Sequence, residues 1–356
     1  MTRKKTAHKL KRPKPRTQKP MQTTNHLMDA LTRSGVLITV SVRYWRATKK
    51  LNAEDIGLDP DRVTDRLISL GHKKLLPKNV LEPFALIESR AHRAVETNSF
   101  PFLNGLGHFV PNRLLTPLTE KLDGLAAEFE SATREFLAHY AERRTQALEE
   151  WREVATKLVR DPEHLVATID ASFPAVGKMQ RHFGFATQLF QIRAPEHVQL
   201  DLTNAVEQES LQQARDDAAR KATKQIETGV QQFMTDTVAT LREQTAQLCH
   251  EMLETIRTGK SGVHQRTLNR LTSFIDQFKQ LNFMGDFELE AMLNRTRSEL
   301  LTRSAEEYRD NTVARTQLQN GLSALADTAR QLATQDARDV VERFGQLGQR
   351  RLHLAI

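Results

Sequence analysis

A single cysteine, Cys249, stands in a chain of 356 residues, so no disulfide closes within it and no cluster of thiolates can cage a metal. Long apolar runs are missing too. None approaches the roughly 18–20 residues that a membrane-spanning helix needs. Acids are absent before Asp29, whereas residues 1–24 carry nine bases: Arg3, Lys4, Lys5, Lys9, Lys11, Arg12, Lys14, Arg16 and Lys19. Aromatic residues are sparse at 6%. Together these absences describe a chain for a reducing, cytoplasmic setting, without a membrane anchor.

The net charge of +8 belongs almost wholly to those first residues. Setting the nine aside leaves 43 bases against 44 acids, so the remainder is close to neutral. The basic character therefore describes a segment and not a groove on the fold. With Pro13, Pro15 and Pro20 among like charges, residues 1–24 read as a disordered tail. Asp29 and Arg33 interrupt the segment that follows, which excludes a signal-peptide apolar region. The prolines argue against a mitochondrial transit peptide.

Beyond the tail the pattern is mainly α. Residues 35–46 are β-branched and aromatic, the strongest strand signal in the chain. A second strand is expected near Leu67–Leu70, and Pro77 opens a helix over about 78–96. Two apolar runs flank Asn104-Gly105 and predict a hairpin over Phe100–Val110. These pieces make a small α+β head over 25–111. Residues 113–159 then carry Leu114, Leu118, Leu122, Leu125, Phe129 and Phe136 at helical spacing, as one long amphipathic helix or two with a break. Asp161 caps a short helix that opens on Pro162. The Phe-rich stretch 173–195 reads as a buried connector, and its pattern leaves helix and strand open over 185–192.

The longest helical pattern runs over 201–257, without proline and with Gly229 as its one glycine. A helix of that length cannot bury a stripe alone. Residues 113–159 are its expected antiparallel partner, in a coiled-coil-like hairpin arm over 112–262 with its tip at about 160–200. Helices at about 264–281, 286–304, 305–333 and 336–348 form a C-terminal section over 263–356 that packs on the arm. Gly285 and Gly321 are read as partial breaks.

Chemistry-bearing motifs are few. Thr258-Gly-Lys-Ser-Gly262 resembles the end of a phosphate loop, but Glu254 stands where that loop needs glycine, and a helix rather than a strand precedes it. Gly105-Leu-Gly107 has Val110 where a dinucleotide fingerprint needs its third glycine. The twelve histidines include no zinc-protease spacing, and Cys249 and His250 point about 100° apart on a helix. No catalytic, cofactor or metal residue is assigned. The nine bases of the tail are the candidate nucleic-acid contacts, since a flexible cationic segment binds phosphates without sequence preference. Tyr44-Trp45-Arg46 with Lys49 and Lys50 offers an aromatic-plus-basic patch, for which core aromatics are the plainer account.

Val42-Arg-Tyr-Trp-Arg-Ala-Thr-Lys-Lys-Leu51, Leu70-Gly-His-Lys-Lys-Leu-Leu-Pro77 and the Phe100–Val110 hairpin, followed by a long helical stretch, resemble a bacterial and phage family. It is catalogued as domain of unknown function thirty-one fifty. The resemblance covers about 30–340 and brings no catalytic residue with it. Some members look like neighbours of a MoxR-type AAA ATPase and a von Willebrand factor A protein. This implies a non-catalytic adaptor or scaffold in a bacterial or mobile-element system, with one of those proteins as partner. The basic tail lies outside the resemblance. The alternative expectation is a nucleic-acid-binding accessory protein acting through that tail, and a homo-oligomer stays open.

Overall fold

Runs of β-branched and aromatic residues give the strands, and long stretches with apolar side chains three or four apart give the helices. The computed structural model describes residues 21–57, 70–191, 205–258, 262–335 and 337–352. The chain is mainly helical with a small sheet. The nine-base tail segment, residues 67–69 of the strand expected near Leu67–Leu70 and the Gly259–Ser261 part of the phosphate-loop resemblance lie outside the described residues.

The elements run in order: α1 (Met21–Ser34), β1 (Gly35–Arg43), β2 (Thr48–Lys50), β3 (His72–Lys74), α2 (Lys78–Thr97), β4 (Phe100–Phe102) and β5 (Gly107–Pro111). Then come α3 (Asn112–Ala138), α4 (Tyr140–Leu158), α5 (Pro162–Ala171), α6 (Val176–Met179) and β6 (Gly184–Phe190). The remainder is helical: α7 (Ala205–Thr258), α8 (Gln265–Leu281), α9 (Phe287–Leu300), α10 (Ala305–Asp310), α11 (Thr312–Thr334) and α12 (Arg338–Leu352). They fall into two compact units. Among the described residues, one holds those of 34–191 and 270–283; the other holds 21–33 and those of 205–269 and 284–352.

The first unit is built on an antiparallel sheet of order β4-β5-β1-β6. Gly35 opposes Pro111 and Ile38 opposes His108 on one side of β1; Leu37 opposes Phe190 and Arg43 opposes Gly184 on the other. The expected hairpin is β4–β5, and Gly105 at its turn has φ +96°, a conformation open to glycine without steric cost. Helix α3 lays Leu114, Leu118, Leu122 and Leu125 in the core and continues it with Phe129 and Phe136. The helical stretch breaks at His139, and α4 restarts at Tyr140. Asp161 accepts from His164 N–H and caps α5, with Pro162 at the first helical position. Phe84, Phe129, Phe136 and Phe183 meet edge-on or tilted at centroid distances of 5.0–6.5 Å. Phe283 tilts against Phe109 at 4.8 Å, and Gln277 Nε2 donates to Thr97 O, which ties residues 270–283 to this unit.

In the second unit α7 packs chiefly along α11. The two run antiparallel. Arg242 Nη1 donates to Leu332 O near the end of α11, while Gly262, just past α7, lies against Arg315 at its start. From Val230 to Ile256 the buried residues of α7 recur three or four apart, and α11 answers with Ala314, Leu318, Leu322, Leu325, Ala329 and Leu332. At ~1.5 Å per residue, the 54 residues of α7 extend roughly 80 Å.

Three expectations change here. The antiparallel partner of the long helix is α11, whereas 112–158 belongs to the sheet-bearing unit. An apolar stripe shows that a helix needs a cover, without saying which of several apolar stripes supplies it. The stretch expected at the tip of an arm is instead β6, a strand of the sheet paired to β1 over seven residues. Gly321 is no break; it lies inside α11, where a methyl group would meet Leu300 Cδ1 at 2.1 Å.

Candidate functional site

The strongest strand signal ends in the segment the sequence singled out as aromatic and basic. Tyr44 and Trp45 are buried. Tyr44 stacks on Phe84 at 5.5 Å, and Trp45 meets Phe136, Tyr140 and Phe173 at 6.5, 6.0 and 5.8 Å. These rings are core, and neither is placed to stack on a base. Arg46 lies with its guanidinium 3.9 Å from the Tyr44 ring centre and grips Glu88 with both ends of its fork, at 2.7 and 3.0 Å. Burial first, then Glu88, raises the Tyr44 phenol, while Arg46 works against them. Ala47 follows in the left-handed region, φ 49°, fully buried, with its carbonyl accepting from Leu75 N–H at 2.7 Å. That turn redirects the chain from the sheet into a separate two-stranded ribbon.

The ribbon pairs Thr48-Lys-Lys50 with His72-Lys-Lys74. One of its lysines is internal: Lys73 Nζ donates to Asp55 Oδ2 at 2.7 Å, with both side chains about 5% exposed or less. Asp55 also accepts from Asn52 N–H. Such a pair offsets its own desolvation only through close hydrogen bonds. Trp151 Nε1 donates to Lys74 O, which fixes the ribbon to α4. Thr48, Lys49, Lys50, His72 and Lys74 are exposed. The register sets Lys50 opposite His72 and Thr48 opposite Lys74, so these four share one face. This basic ribbon was only half legible. Lys49 and Lys50 stood out in the sequence, whereas His72 and Lys74 join Lys50 on one face only through strand pairing, with Lys49 on the other.

Buried ionisable groups elsewhere serve the structure. Arg242 Nε donates to Asp286 Oδ2 at 2.7 Å, with both side chains nearly dry, and Asp286 caps α9 by accepting from Leu289 N–H. Removing one member of such a buried pair costs about 3–5 kcal/mol. Cys249 is buried, and burial pushes its thiol up to about 12, so it is not a thiolate near neutrality. His250 beside it is exposed. Among the described residues, no three His, Cys, Asp or Glu side chains gather as a metal site, and no described helix is long and apolar enough to cross a membrane.

One pair escaped the sequence reading. Ser99 Oγ lies 3.1 Å from His108 Nδ1. The two are nine residues apart, in a loop and a strand that only the β4–β5 hairpin brings together. Ser99 also donates to Val95 O. A hydroxyl has one proton, so Nδ1 supplies the hydrogen of its bond to Oγ. Ser99 is thereby an acceptor toward the ring, the reverse of what a base-activated nucleophile requires. The pair latches the end of α2 to the hairpin.

No curated protein and no solved structure matches the chain. A family model does: "Protein of unknown function (DUF3150)" matches residues 32–327, which take in the six strands, helices α2 to α10 and most of α11, and leave the basic tail and α12 outside. That match spans most of the chain, which therefore belongs to this family.

Proposed function

We propose that the chain is a non-catalytic interaction component of a bacterial or mobile-element multiprotein system, with α7 as its contact surface. In this reading α7 and α11 form a coiled-coil-like arm, and the sheet-bearing unit is an α+β head. The observation that carries it lies on α7. The stripe that is buried from Val230 to Ile256 continues toward the N-terminus as Ala219, Ala222, Thr223 and Ile226, which are only half-buried. Past the end of α11, where α12 also touches α7, this half-buried stripe keeps its apolar spacing and offers a partner helix the same packing that α11 uses. The engagement of Arg242, Lys73 and His108 in structural contacts supports a binding role over a chemical one.

The partner class is protein, and the family resemblance directs the choice to a MoxR-type AAA ATPase or a von Willebrand factor A protein of the cytoplasm. The test is capture of the purified ATPase by the full chain and by Ala222→Glu and Ile226→Glu variants. Capture by the parent chain, weakened at least about tenfold by a charge on the stripe, supports the reading; equal capture by all three, or by none, overturns it.

A second reading has its own observation. Nine bases without an acid, together with the exposed Lys49, His72 and Lys74 of the ribbon, suit the backbone of a nucleic acid. On this reading the chain is an accessory protein that contacts phosphates, with the tail as principal binder.

A further inference from the structure

The two edges of the four-stranded sheet differ in kind. One is β4, three residues long with Pro101 at its centre. Shortness and proline both discourage a further strand. The other is β6, Gly184-Phe-Ala-Thr-Gln-Leu-Phe190, seven residues without proline and without a charge. Among the described residues its one strand neighbour is β1. Ala186 to Leu189 are all exposed, Leu189 at 51%. In a chain that is 27% charged, a long uncharged edge lacks the lysines and prolines that ordinarily guard such a strand.

We infer that β6 is a self-association edge: two copies of the chain pair β6 to β6, antiparallel, across a two-fold axis at Thr187. The residue sequence favours a second copy over a foreign strand. With Thr187 opposite its own image, Phe185 comes opposite Leu189, and Ala186 opposite Gln188. Opposed residues in an antiparallel pair share a face, so each exposed Leu189 meets the Phe185 of the other copy. Thr opposite Thr is a favourable cross-strand pair. No like charges meet, because the strand has none. The contact is isologous and closes on itself, so it yields a dimer and not a fibre, and the sheet of four strands becomes one of eight. This inference is independent of the role given to α7.

Sedimentation of the full chain tests it directly. The parent chain should dimerise. Thr187→Lys and Thr187→Glu, each placing two like charges face to face at an exposed position, should raise the dissociation constant at least about tenfold. An equimolar mixture of the two should recover the dimer, now as a heterodimer. A Thr187→Cys chain should cross-link to itself on oxidation, whereas Ala186→Cys, whose opposite residue is Gln188, should not; buried Cys249 gives no background. A parent chain that is monomeric at every concentration overturns the inference. So does a dimer that neither charge weakens, or a Thr187→Cys chain that does not cross-link while its far-UV spectrum matches the parent's.

Discussion

His108 stands with its Nδ1 against Ser99 Oγ, partly withdrawn from water. Burial lowers the ring below its ordinary value of 6.5, and neighbouring His92 adds to this, while Glu96 opposes both. Because the folded value lies below the unfolded one, the unfolded chain binds more protons as pH falls through the gap. Stability from this group is complete above about 6.5 and is lost as pH falls toward the folded value. A His108→Gln chain should therefore lose less stability than the parent between pH 7.5 and 5.5, measured as urea midpoints; parallel losses in the two chains would show that the ring does not titrate on unfolding. Neither this pair nor the buried Arg242–Asp286 pair was legible in the sequence. Their members lie nine and 44 residues apart, in segments whose patterns give no sign of meeting. Cys249 and His250 were legible, because adjacent residues on one helix necessarily face different ways.

Gly35 shows what an element needs where it begins. A methyl group there would lie 2.3 Å from Val110 O and 2.5 Å from Phe109 Cζ. The carbonyl belongs to the β1–β5 ladder and cannot give way without breaking it. Gly35→Ala should destabilise the fold by about 1–3 kcal/mol, as other overpacked sites do. Gly124 is the contrast: exposed within α3, with nothing within 4 Å of an added methyl. Gly124→Ala should be neutral or stabilise by roughly 0.5–1 kcal/mol. Denaturant titrations of the two variants beside the parent check the opposite signs. At this scale the sequence was informative. The strand from Gly35, the β4–β5 hairpin and the cap at Asp161 follow from β-branching, turn residues and capping chemistry, whereas the sequence left open whether 113–159 breaks, and the structure breaks it at His139. β6 was undecided because seven mostly apolar residues fit a buried helical turn as well as a strand. Its hydrogen bonds to β1, about 145 residues earlier, settle the matter.

At the scale of the whole molecule, charge separates the tail from the body. If the second functional reading holds, nine contacts release counterions with a log–log salt slope no steeper than about −8 on duplex DNA. Removing residues 1–24 should abolish retention on DNA at moderate salt. A steeper slope, or retention by the shortened chain, would move the contact onto the body, where Lys49 and Lys74 of the ribbon become the residues to change. Fluorescence anisotropy over a salt series measures both.

The sequence by itself determined the helical class, the places of most elements, the confinement of the net positive charge to the first residues and the membership of a family recognisable from short motifs. Each of these rests on local chemistry: periodicity, turn residues, composition. Tertiary structure alone decided that α7 takes α11 as its cover, that 184–190 completes the sheet, and that Lys73 turns inward to Asp55 while Lys49 and Lys74 stay in water. Those are choices among partners of equal local merit. Apolar stripes and strand edges are generic, and the pairing that wins is set by the packing of the entire chain at once.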